Sequence, residues 1–147
     1  MTYFTMNELT ASPTAKRKGI ANIPTRQEAC NLVALVDNIL DPLRKAWGAP
    51  IVVTSGFRCK QLNNIVGGSK SSQHCLGQAA DIRTVSDLPS ENKKLRDLIV
   101  SLDLPFDQLI DEFGCDWVHV SYKPNGRKQK LSAIRSMGKT IYKQGFS

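Results

Sequence analysis

Two short stretches constrain this chain more than any others: AADIR at 79–83 and WVHVSY at 117–122. Side chains alternate faces along a strand. In WVHVSY, Val118, Val120 and Tyr122 share one face, and Trp117, His119 and Ser121 share the other. In AADIR, Ala80 and Ile82 suit a core, which leaves Asp81 and Arg83 facing outward. Two strands of this kind need a sheet covered on one side, with Asp81 and His119 converging over the open face.

The remaining pattern supplies the cover. Thr25 and Glu28 form the T-x-x-E pattern of a capping box. Behind it Ala29, Leu32, Val33, Val36, Ile39, Leu40, Leu43 and Trp47 recur at helical spacing. Pro42 predicts a kink or restart, and Gly48 and Pro50 predict the end. Short helices are expected over Met6–Thr10 and Lys60–Ile65, the second stopped by Gly67 and Gly68. Ser90 is expected to cap a helix to about Leu102, with Leu95, Leu98, Ile99 and Leu102 on one face. Strands are expected over 51–54, Ala79–Thr84, Gln108–Glu112 and 117–122. A closing hairpin over 130–135 and 140–143 turns at Met137-Gly138. The runs 14–24 and 69–76 read as loop. The fold class is α+β, a small, mostly antiparallel sheet with helices packed against it.

The chain's 147 residues suit a single domain spanning 1–147, with a lead-in segment over 1–24 and a basic hairpin over 123–147. No apolar run approaches the roughly 20 residues that span a bilayer, so no membrane partner is expected. The N-terminus lacks the apolar core of a secretory signal. The net charge of +7 is concentrated at the end, where Lys123, Arg127, Lys128, Lys130, Arg135, Lys139 and Lys143 stand without an acidic residue. Such a segment favours polyanions or forms a solvated face. No nucleic-acid-binding motif accompanies it, and no nucleic-acid partner is expected. The four cysteines, at 30, 59, 75 and 115, form no CxxC pair, so free buried thiols are expected.

The chain has two histidines, His74 and His119. His74, Asp81 and His119 offer two imidazoles and a carboxylate, a donor set that suits Zn²⁺ and leaves a fourth position to water. Zinc lowers the pKa of such a water to about 7. Hydrolysis also needs a carboxylate that is not a ligand. Asp116, three residues before His119, is the first candidate for that general base, and Glu112 is the alternative. Arg58, in the SGFR turn, suits the clamping of a substrate carboxylate or the steadying of an oxyanion. Ser72 and Gln73 offer hydrogen bonds beside it, and Trp117 offers either a core residue or a substrate platform. Small residues at Gly77, Ala79 and Ala80 are expected to leave room around the metal. Taken singly, each of these residues has an ordinary structural explanation; the argument rests on their combination.

The string S-x-H-x-x-G-x-A-x-D, formed by Ser72, His74, Gly77, Ala79 and Asp81, resembles the zinc-site signature of the D-alanyl-D-alanine carboxypeptidases. That family includes phage endolysin peptidases and vancomycin-resistance dipeptidases. SGFR, Asn63 and VGGS upstream, and WVHVS downstream, are similar to the family's context, so the resemblance spans about 4–122. It implies the compact α+β fold shared by hedgehog and D-Ala-D-Ala peptidases, with His74, Asp81 and His119 as zinc ligands. It also implies an acid shortly before the second histidine as base, where Asp116 stands, and contact between Arg58 and substrate. The implied substrates are D-amino-acid peptides, chiefly peptidoglycan stems. The expected form is a phage or prophage enzyme, monomeric, made in the cytoplasm without a signal peptide. It would reach the cell wall after release or in a virion. A non-catalytic wall-binding or virion module on the same fold is the competing expectation, and a nucleic-acid-binding protein ranks behind it.

Overall fold

A computed structural model describes residues 1–146. The chain opens with α1 (Met6–Thr10), capped by the Thr5 hydroxyl. It continues with α2 (Pro13–Lys18), in a stretch whose sequence reads as loop. This helix is held at both ends: the Ser12 hydroxyl accepts the Ala15 N–H, Pro13 occupies the first turn, and Gly19 closes it in the left-handed conformation. Next comes α3 (Arg26–Leu35), which begins with the full reciprocal capping box of Thr25 and Glu28. A π-helical turn, Val36–Leu40, joins it to α4 (Asp41–Trp47). The expected irregularity therefore lies one turn before Pro42, where a proline ring leaves a backbone carbonyl without its usual donor.

The strands follow: β1 (Ile51–Ser55), β2 (Ala79–Thr84), β3 (Gln108–Glu112), β4 (Trp117–Ser121), β5 (Gln129–Ser136) and β6 (Lys139–Gln144). They form one six-stranded sheet in the order β1-β2-β4-β3-β5-β6. All pairs are antiparallel except β3 with β5. Between β1 and β2 lie α5 (Lys60–Ile65) and a 3₁₀ turn, Gln73–Leu76, inside the stretch expected to be loop. Helix α6 (Pro89–Ser101) links β2 to β3. Its N-cap is Leu88 rather than Ser90, because Pro89 takes the first helical position. Leu95 and Ile99 of its apolar face are buried, whereas Leu102 lies beyond the helix and is exposed.

The core lies on one side of the sheet. Ala80 and Ile82 of β2, Val118 and Val120 of β4, and Leu109 of β3 are all fully buried. They belong to one cluster with Leu32, Leu35, Ile39, Leu40 and Leu43 of the long helical segment and with Leu95 and Ile99. Each large aliphatic side chain buried there contributes about 1.5–3 kcal/mol. Asp111, also on the core side of β3, receives the Arg96 guanidinium at 2.7 Å, and Phe146 lies over that guanidinium. A second, small cluster of Ile110, Leu131 and Ala133 sits on the opposite face. Among the described residues no helix is long and apolar enough to cross a membrane. The thiols are free; Cys115 is buried and Cys59 and Cys75 partly so, but Cys30 is exposed, because it falls on the outer side of α3. At the basic end, Arg127 is engaged by the buried Asp107, and Lys128 pairs with Asp103.

Candidate metal centre

The open face of the sheet carries the site. Asp81 of β2 and His119 of β4 are register partners across an antiparallel pair. Cross-strand neighbours on one face lie within about 5.5 Å at Cβ, so their side chains meet, with His119 Nδ1 3.0 Å from Asp81 Oδ1. The third group arrives from the 3₁₀ turn: His74 Nε2 lies 3.4 Å from the same Asp81 oxygen. The two imidazole rings stand edge to face, with centroids 5.1 Å apart.

His74 is held from several sides. Its backbone N–H donates to the Ser72 hydroxyl, and its carbonyl accepts the Arg58 N–H. Its ring Nδ1 lies 2.7 Å from the Gly56 carbonyl. A carbonyl only accepts, so Nδ1 carries the proton and Nε2 turns a lone pair toward Asp81 and His119. A backbone carbonyl on the far nitrogen is the usual way to fix a metal-ligating histidine. Gly56 follows a bulge in β1, where pairing with β2 slips between Val53 and Ser55. A Cβ at Gly56 would stand 2.2 Å from the Leu9 carbonyl oxygen, so only glycine brings this carbonyl to the histidine.

Ligand atoms of His74, Asp81 and His119 all lie within 4.8 Å of one another. Tetrahedral zinc, with bonds of about 2.0–2.2 Å, separates its ligand atoms by roughly 3.4 Å; the separations of 3.0 and 3.4 Å to Asp81 match. Burial lowers the His74 pKa despite the opposing pull of Asp81, which favours the neutral, ligating imidazole. Burial alone would raise the Asp81 carboxyl, but His74 and His119 outweigh it and hold it well below the carboxylate range. The donor set therefore fits the ion that its chemistry suggests.

The cleft around the triad is lined by Arg58, Ser72, Gln73, Glu112 and Trp117 among others. Arg58 Nε is buried without a protein partner among the described residues. Gln73 donates to Asp107 at 3.1 Å and Gln78 at 3.2 Å. Ser72 spends its oxygen on capping the turn that carries His74. Trp117 lies on the cleft face, edge-on to Phe113. The small residues serve purposes other than the room expected of them: Ala79 and Ala80 are fully buried, and Gly77 ends the 3₁₀ turn at φ 72°.

The two candidate bases separate. Glu112 lines the cleft in the cross-sheet row next to His119, paired with Trp117 on β4. Burial pushes its carboxyl up to about 7, Asp81 and Asp111 push the same way, and His119 opposes. Asp116 is exposed in the β3–β4 turn and lines, with Gly114 and Ile134, an adjoining hollow that shares Phe113, Trp117 and Arg135 with the cleft. Of the two, Glu112, the alternative, lines the cleft that holds the triad, and Asp116, the first candidate, is not among that cleft's lining residues: it precedes β4 in the turn, three residues from His119. Reading by residue also missed the part of the cleft built by β5 and β6, as well as the Gly56 carbonyl, which has no side-chain signal.

The family model described as Peptidase M15 matches residues 2–121. The chain belongs to the peptidase M15 family. No curated protein matches it. With the triad in place, this M15 protein is a zinc metallopeptidase that acts on peptidoglycan-related substrates.

Proposed function

We propose that the enzyme hydrolyses an amide bond in peptidoglycan stem peptides, either as a D-Ala-D-Ala carboxypeptidase or as an endolysin-type endopeptidase, with Glu112 as general base. The observation that carries this reading is the shared cleft: three converging metal ligands and a buried, non-ligating carboxyl one row away on the same sheet face. When bound by His74, Asp81 and His119, zinc supplies a Lewis acid that polarises the scissile carbonyl and acidifies water.

The chain's own groups do the rest. Glu112 takes a proton from the attacking water and passes it to the leaving nitrogen. The C–N bond breaks as the C–O bond is completed, giving a carboxylate and an amine. A carboxyl poised near neutrality is suited to both transfers. The Arg58 guanidinium, with its buried Nε unpaired, faces the substrate and offers a donor to a carboxylate or to the developing oxyanion. Ser72 holds the His74 turn, Gln73 lines the wall, and Trp117 lies under the substrate beside Glu112. We place the enzyme's work at the bacterial wall, in a phage or prophage context, as a monomer, since one chain supplies every group named. The test is mass spectrometry of purified wall fragments after digestion. Zinc-loaded protein should release new termini within stem peptides, a chelator should stop this, and added zinc should restore it. Equal release by metal-free and zinc-loaded protein would refute the reading.

A further inference from the structure

The family match ends at residue 121, the last residue of β4, yet the cleft does not end there. Gln129, Leu131 and Arg135 of β5 and Thr140, Tyr142 and Gln144 of β6 line the same cleft as the zinc ligands. The registers explain why. Ile110 pairs with His119 and Leu131, and Leu131 with Gln144. One row along, Glu112 pairs with Trp117 and Ala133, and Ala133 with Tyr142. Row partners share a face, so Trp117, Glu112, Ala133 and Tyr142 form one line across the floor. Ala133, the smallest member, stands between Glu112 and Tyr142 in that row and is fully buried, and the residues on either side of it both line the cleft. Tyr142 is 55% exposed, on the outermost strand. Partial burial raises its hydroxyl pKa, and the charge of Glu112 adds to the rise.

We infer that the β5–β6 hairpin is the substrate-binding wall on the Glu112 side of the cleft, and that Tyr142 is its main contact with the stem peptide. This rests on the stem-peptide reading above. A tyrosine suits the task because it offers a flat apolar face to a peptide side chain and a hydroxyl to its backbone at little cost in conformational entropy. Arg135 and Thr140, register partners one row further on, extend the wall and add a cation at its rim.

The test is binding and turnover of a synthetic stem pentapeptide ending in D-Ala-D-Ala, using the full, zinc-loaded chain. Calorimetric binding is measured in a Glu112→Gln background, and kinetics in the wild-type background. Tyr142→Ala should weaken binding and raise KM by about tenfold while kcat stays within about threefold. Tyr142→Phe should fall between. Lys143→Ala, adjacent but on the opposite face of β6, should match its parent. Unchanged binding in Tyr142→Ala, or equal losses in Tyr142→Ala and Lys143→Ala, would overturn the assignment. Peptide that binds in a Tyr142-dependent way but is never cut would refute the proposed reaction and leave the wall intact. Peptide that neither binds nor is cut would overturn both.

Discussion

Glu112 and Asp116 lie four residues apart, one buried on a strand and the other exposed in the turn that follows it. Glu112 sits in strand register with Trp117, two residues from His119 on the same face; Asp116 precedes the strand and is exposed. Glu112→Gln should therefore cut kcat by 10²–10⁴-fold with zinc content unchanged, whereas Asp116→Ala should stay within about twofold. Steady-state kinetics with metal analysis on both variants decides between them. The raised Glu112 pKa carries a second consequence. Folding favours the protonated form, so the contribution to stability is full below the unfolded value of 4.5 and is lost as pH rises through about 7. In metal-free protein, Glu112→Gln should thus gain stability over wild type at pH 8, by up to roughly 2 kcal/mol, and gain little at pH 4. Denaturant melts at the two pH values measure this, and a gain larger at pH 4 would contradict the sign. The zinc ligands were legible in the sequence because few residue types bind zinc and only two histidines exist. The place of Glu112 on the cleft face was legible too, had the alternation of WVHVSY been carried across the turn to its partner strand.

At the scale of elements, the 3₁₀ turn that presents His74 depends on how it ends. Gly77 has φ 72°, and a Cβ there would meet the Glu28 carbonyl oxygen at 2.3 Å, so the turn is pressed against the start of α3. Gly67 has a similar φ of 76° but open space around it. Replacing either glycine by alanine costs about 1–3 kcal/mol of backbone strain. Only Gly77→Ala must also displace the turn. We expect Gly77→Ala to weaken zinc binding by tenfold or more in competition with a chromophoric chelator, and Gly67→Ala to leave it near wild type. Elements with strong local signals were readable: α3 from its capping box, β2 from alternation, the last hairpin from Met137-Gly138. Helix α2 was missed although its signals, Ser12-Pro13 and Gly19, stand in the sequence, because no apolar stripe marks a helix this short. The site of the π turn was hidden because several irregularities answer the same proline.

At the scale of the molecule, the three ligands come from the turn before β2, from β2 and from β4, and the buried faces of both strands belong to the main core. The overall class was legible from these faces, but the parallel joining of β5 to β3 was not, since pairing between strands distant in sequence leaves no local trace. That pairing turns β3 from an edge strand into an interior one and so helps to bury Glu112. It also means that the metal ties together segments spanning the sheet's centre, and binding must couple to global folding rather than to one loop. An ion that binds only the folded chain stabilises it by RT ln(1 + [L]/Kd), about 2.7 kcal/mol at a hundredfold excess over Kd. For a chain of this length that corresponds to a rise in Tm of roughly 5–10 °C. Zinc should produce that shift in a single cooperative transition monitored by calorimetry, and Asp81→Ala, which removes the oxygen that both imidazoles approach, should abolish it. A zinc-dependent shift that persists in Asp81→Ala, or one that splits the transition in two, would place the ion elsewhere in the molecule.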